Sequence, residues 1–215
     1  MLMTYHGHSE FLLESAEGFR VLTDPFDAHV GYPMHSVNAD AVLVSHGHSD
    51  HNFTAKVTGH PQIINQAGTT RLSTDCAVTA IPAFHDDCEG KKRGQTLLFL
   101  MEMDGLKIAH LGDLGTTLTE EQLNLLHGVD ILLIPVGGYY TIDGRTAADI
   151  AQKIGAHITI PMHYKTAVNQ DWPIADPTEF LRQMHAENAE TLPLLRVTME
   201  DVACAPRVCR MGCKN

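Results

Sequence analysis

The run Ser45-His46-Gly47-His48-Ser49-Asp50-His51 constrains this 215-residue chain more than any other stretch. It follows directly on Ala41-Val42-Leu43-Val44, a continuous apolar run of strand length that reads as buried on both faces. Side chains two apart on a strand point the same way, so His46 and His48 can converge on one ion. The chain then turns, and Asp50 and His51 can face a second ion beside the first. Composition points in the same direction: the chain carries 14 histidines, and histidine is the commonest metal ligand.

The rest of the chain reads as strands first, then strands alternating with helices. Glu10 to Glu14 and Arg20 to Thr23, separated by Glu17-Gly18, suggest a hairpin. Asp24 to Asn38, rich in Pro, Gly and His, reads as a long surface loop. Val78 to Ile81 is a strand that runs into Pro82-Ala83-Phe84-His85. Thr96 to Met103 and Leu106 to Ala109 flank Asp104-Gly105, a strong hairpin signal of type I′, and lead to His110-Leu111-Gly112-Asp113. Thr119 with Gln122 forms a capping box at a helix start. Asp130 to Val136 and Ile158 to Met162 are buried strands, separated by a helix that opens at Thr146 and ends at Gly155. Asp176-Pro177-Thr178-Glu179 opens a further helix. These elements describe a mixed α/β domain over residues 1–200, two sheets with helices outside. A tail over 201–215, expected to be mobile, carries Cys204, Cys209 and Cys213 at no recognised zinc spacing.

Charge and composition exclude several classes. The net charge of −11 repels phosphate backbones over most of the surface and argues against a nucleic-acid partner. No apolar run approaches a membrane span, the N-terminus has no signal-peptide pattern, and five cysteines are an odd number. The expectation is therefore a reduced, cytoplasmic protein without a membrane partner.

With these residues in view, the chain resembles the metallo-β-lactamase superfamily, whose members carry H-x-H-x-D-H after a core strand. Within it, the chain is similar to the ascorbate-phosphate-lactonase-like branch of metal-dependent hydrolases. The supporting stretches are Tyr5-His6-Gly7-His8-Ser9, Thr23-Asp24-Pro25-Phe26, Pro82 to His85, His110 to Gly115, Ile134 to Gly138 and Ile160 to Lys165. The resemblance implies an αββα sandwich of two mixed sheets and a site for two divalent metal ions. It implies that His46, His48 and His85 bind one metal, that Asp50, His51 and His163 bind the other, and that Asp113 bridges the two. Zn²⁺ is the first expectation, with Mn²⁺ or Fe²⁺ as alternatives.

Asp50, Asp113 and His8 are the candidate catalytic residues, His8 as a proton donor or substrate contact. Asp24 is a candidate to accept a hydrogen bond from a ligand histidine and fix its tautomer. Lys165 and Tyr139 are candidate substrate contacts. His110 reads as structural, and His29 with the other outlying histidines as surface residues. The implied activity is hydrolysis of an ester, lactone or phosphodiester of a small molecule by a metal-bridged hydroxide, with homo-oligomerisation left open. The alternatives are a mononuclear iron sulfur-oxidising enzyme and an RNA-processing nuclease of the same fold.

Overall fold

In the computed structural model, which describes residues 1–202 and 208–213, the N-terminal apolar runs form a meander. β1 (Leu2–Gly7), β2 (Glu10–Glu14) and β3 (Arg20–Thr23) pair antiparallel in that order, with Gly18 at φ 83° in the β2–β3 turn. Next come β4 (Val37–Asn38), β5 (Ala41–Leu43), β6 (Val57–Thr58) and β7 (Gln62–Ile64). β5 joins β3 in parallel and β7 joins β5 in the same way, while β4 and β6 pair with each other outside this sheet. The loop expected over Asp24 to Asn38 thus also holds a short 3₁₀ turn, Ala28–Val30, and the strand β4.

A second sheet follows. β8 (Gly68–Arg71), β9 (Cys76–Phe84), β10 (Gln95–Met103) and β11 (Leu106–His110) are antiparallel, and β12 (Ile131–Pro135) and β13 (Ile158–Met162) add in parallel. Asp104 and Gly105 have φ of 54° and 78°, left-handed at both positions as a type I′ turn requires. β12 and β13 are buried at every position, so they read as continuous apolar runs rather than as alternation. The chain ends with β14 (Thr191–Leu192), β15 (Leu195–Arg196) and β16 (Arg210–Met211). β15 pairs with β1, which gives two six-stranded mixed sheets, β15-β1-β2-β3-β5-β7 and β13-β12-β11-β10-β9-β8.

The sheets face each other across one core. Met3, Phe11, Leu13 and Leu43 come from the first, and Phe99, Met101, Ile108 and Leu133 from the second. A second apolar layer joins the outer face of the second sheet to the helices α1 (Glu120–Leu126), α2 (Gly144–Ile154) and α3 (Thr178–Gln183). α2 presents Ala147, Ala148, Ile150, Ala151 and Ile154 along the stripe that a surface helix buries. It starts two residues before Thr146, because Asp143 supplies the cap by accepting from the Thr146 N–H at 2.8 Å. The outer face of the first sheet is covered instead by the short strands β4 and β6, through Val37, Ala39 and Val57 against Leu22, Val42 and Val44.

Part of the C-terminal segment, expected to be mobile, packs against this body. β16 pairs with β14, Val208 bridges to Thr159, and Cys209 and Met211 enter the core between the sheets. Strand pairing and the burial of Cys209 and Met211, rather than a helical period, hold it there. Cys204 lies outside the described residues. Among those residues, no helix is long and apolar enough to cross a membrane.

The topology fixes where a site can form. β1, β3 and β5 run in one direction in the first sheet, and β9, β11, β12 and β13 share one direction in the second. His8, Asp24 and His46 lie just past the C-terminal ends of β1, β3 and β5, while His85, Asp113 and His163 lie past those of β9, β11 and β13. All therefore meet along one edge of the sandwich.

Candidate metal centre

Several of these strands stop on a left-handed residue. His8, Asp24 and His163 have φ of 57°, 38° and 52°, a conformation that costs a non-glycine residue about 1–2 kcal/mol. The turn breaks the strand alternation and rotates the side chain towards the common edge. Glycine makes room beside it. A Cβ on Gly115 would lie 2.3 Å from the His85 carbonyl carbon, and one on Gly112 would lie 2.6 Å from the Leu97 carbonyl oxygen. Only glycine lets the Asp113 loop approach both walls.

Three overlapping groups of ligand-type atoms result. His46, His48 and His85 form one, His8, Asp50, His51 and His163 another, and His46, His51 and Asp113 link them. Asp113, 2% exposed, sits in the middle. His51 Nε2 is 3.2 Å from its Oδ1, and His163, His85 and His46 Nε2 are 3.3, 3.4 and 3.9 Å from its Oδ2. The structure thus brings together all seven residues that the sequence proposes as ligands. It adds His8, which is buried with Nε2 3.2 Å from His51 Nε2 and 3.3 Å from Asp50 Oδ2.

Behind them, the buried Asp24 carboxylate accepts from the Ser45 N–H and hydroxyl at 2.7 Å each and from His51 Nδ1 at 2.9 Å. Ser45 Oγ also lies 3.0 Å from His46 Nδ1. With Nδ1 of each ring engaged by this pair, both imidazoles turn Nε2 inward. His110 stays structural: its Nε2–H donates to the Ser9 carbonyl at 3.0 Å, and its Nδ1 accepts from the Gly112 N–H.

The electrostatics follow from burial and crowding. Burial, then the neighbouring His163, pushes the His8 pKa down to about 4; burial and His51 push His46 down to about 3. Burial opposes the charges of Asp113 and Asp24 at His51, yet those carboxylates hold it well above its ordinary value. Asp113 is held well below the carboxylate range, against burial, by His163 and His51.

Divalent cations fit this donor set. Buried His85 Nδ1, both ring nitrogens of His163 and Asp113 Oδ1 make no hydrogen bond among the described residues, although unpartnered buried polar atoms are costly. Imidazole nitrogens also face one another at close range, as at His46 Nε2 and His48 Nδ1, 2.9 Å apart. Lone pairs gathered so closely are satisfied together by an ion between them.

The site floors a cavity of about 670 Å³ whose lining includes His48, Asp50, His85, Asp113 and His163. Its walls include His29, Arg93, Tyr140 and Trp172. Two expected substrate contacts are not among the lining residues. Tyr139 is 63% exposed; Gly138 and Tyr139 are both left-handed, which turns Tyr139 out and its neighbour Tyr140 in. Lys165 follows the left-handed His163, so the strand alternation that would have aimed it at the site is lost, and its charge acts on Asp176. Arg93, hidden in the run Lys91-Lys92-Arg93, gave no signal in the sequence; His29 is exposed, as expected, and also borders the cavity.

Similarity to known proteins agrees with this geometry. Residues 2–163 match the family described as the β-lactamase superfamily domain. A UPF0173 metal-dependent hydrolase of Archaeoglobus fulgidus is 31% identical, over 88% of this chain and 93% of its own length. Another, of Carboxydothermus hydrogenoformans, is 32% identical over 84% and 90%. A crystal structure from Thermotoga maritima, described as a candidate Zn-dependent hydrolase of the metallo-β-lactamase superfamily, superposes with a TM-score of 0.80. It is 32% identical and covers 98% of this chain and 97% of its own. On both the sequence and the fold, this chain belongs to the metallo-β-lactamase superfamily, among the UPF0173 metal-dependent hydrolases.

Proposed function

We propose that the protein is a binuclear hydrolase that cleaves an ester, lactone or phosphodiester of a small molecule. The observation that supports this most is the Asp113 carboxylate, with His51 Nε2 3.2 Å from one oxygen and His163 and His85 Nε2 3.3 and 3.4 Å from the other. A carboxylate facing histidines of both groups is what a bridge needs when two ions lie about 3.5–4 Å apart. In this reading His46, His48 and His85 hold one ion, Asp50, His51 and His163 the other, and Asp113 both. The first set with Asp113 suits Zn²⁺; His8 enlarges the second, which then also suits Mn²⁺ or Fe²⁺.

Bound there, the ions supply an acidified water as nucleophile and a Lewis acid for the developing oxyanion. The chain's own residues do the rest. Asp24 and Ser45 keep His51 and His46 in the tautomers that present Nε2. Asp50, whose side chain keeps 20% exposure, is placed to take the proton released in the cavity. His8 acts as an added nitrogen donor rather than a proton donor, because its Nε2 already faces Asp50 and His51. A cavity of about 670 Å³ suits a small molecule, and a net charge of −11 disfavours a nucleic acid. The unbridged thiols of Cys76, Cys88 and Cys209 accord with a cytoplasmic setting.

The test is hydrolysis of bis(4-nitrophenyl) phosphate and of an activated ester, before and after chelation. Activity should stop with the chelator and return with Zn²⁺ or Mn²⁺. Activity that survives complete metal removal would overturn the assignment.

A further inference from the structure

The cavity wall carries a cation that the hydrolytic reading leaves unused. Arg93 is the one lysine or arginine among the lining residues described. Its guanidinium lies 5.5 Å from the ring centre of Tyr140 and 6.0 Å from that of Tyr139. It makes no hydrogen bond or ion pair to another side chain among the described residues, although acids outnumber bases in this chain by 26 to 15. The neighbouring Lys92, by contrast, has an acid partner, Asp87, at 3.2 Å. A guanidinium held near aromatic rings rather than by an acid keeps its N–H fork free for an anion.

The backbone that carries Arg93 is held firmly. Asp86, the residue after His85, accepts the N–H groups of Cys88, Gly90, Lys92 and Arg93 at 2.8–2.9 Å. The loop closes where the His85 N–H donates to the Gly94 carbonyl at 3.1 Å. Arg93 is thus anchored to the same segment that carries a candidate ligand, so its position relative to the metal site is set before substrate arrives. Facing the cavity are also two aromatic walls, with Tyr140 and Trp172 ring centres 6.2 Å apart. Trp172 in turn packs edge-on against His8 at 5.4 Å.

We propose that Arg93 is the specificity residue of this cavity, and that the substrate is a small acid, a carboxylate or phosphate attached to a planar apolar group. The acid pairs with the Arg93 fork while the planar part lies against Tyr140 and Trp172. This deepens the hydrolytic reading and rests on the same cavity being the substrate site.

Trp172 is the chain's single tryptophan, so intrinsic fluorescence reports on this cavity directly. The probes are phenylacetate and phenyl phosphate, each titrated against the neutral phenylacetamide, on chelated and on metal-reconstituted protein. A charge-assisted pair gives about a 10- to 100-fold preference for at least one anion. Arg93→Ala should cut that preference to about twofold, Arg93→Lys should retain part of it, and Lys92→Ala should leave it in place. Three results would overturn the proposal: no anion preference in the wild type, a preference indifferent to Arg93→Ala, or an equal loss in Lys92→Ala. A preference seen only with metal and unaffected by Arg93→Ala would assign the anion to the ions instead. Because the titration needs no turnover, a protein without hydrolytic activity still gives an answer.

Discussion

Asp113 carries more of the site than any other side chain. It is nearly fully buried, and its two oxygens meet histidines supplied by β5, β9 and β13. Asp113→Asn preserves shape but removes the negative charge that lies between two cations. Turnover should fall by at least about 100-fold and one ion should be lost preferentially; unchanged rate and metal content would reduce Asp113 to a turn residue. The ligand-type residues were legible in the sequence because each follows a strand whose end is marked, as His163 follows Ile158 to Met162. The cavity walls were not. Whether Tyr139 or Tyr140 faces inward depends on two successive left-handed residues, and a single φ of that kind redirects every later side chain. Arg93 was masked for another reason: in a basic run, the one cation that turns inward has the same letter pattern as solvated ones.

Among the elements, the loop bearing His46 to His51 is fastened to β2 by buried charges. Glu10 accepts from the Phe26 N–H at 3.1 Å, pairs with Lys56 and lies 2.8 Å from His6 Nδ1. The Lys56 ammonium also stands 3.8 Å over the Phe26 ring. Lys56→Met would leave Glu10 buried with one partner gone, so stability should drop by about 3–5 kcal/mol. Urea denaturation reads this as a lower midpoint at constant slope, and a midpoint shift worth under about 1 kcal/mol would show that the pair is replaceable. Helices were legible wherever a cap and an apolar stripe agreed, as at Thr119 with Gln122. The start of α2 was not, because Asp143-Gly144 reads equally well as a turn. Contacts distant in sequence were also unreadable: β15 against β1, and Cys209 in the core, follow from tertiary pairing and have no local pattern.

For the molecule as a whole, stability should depend on pH through buried neutral bases. Burial lowers the His110 pKa, and its hydrogen bonds to Ser9 and Gly112 require the neutral ring. In the unfolded chain the same imidazole takes a proton below about pH 6.5. Its contribution is therefore complete above that pH and is lost as pH falls towards the lowered folded value. The thermal midpoint of metal-free protein should decline from pH 7 to 5, and less steeply in His110→Gln; parallel profiles would exclude His110 as a source. The sandwich delivers one edge at which residues from six strand ends meet, an edge proposed to hold two ions. Elemental analysis of metal per chain, after reconstitution and removal of excess ion, measures that directly. Two transition-metal ions per chain are expected; a single ion at full occupancy, or none, would rule out the binuclear site.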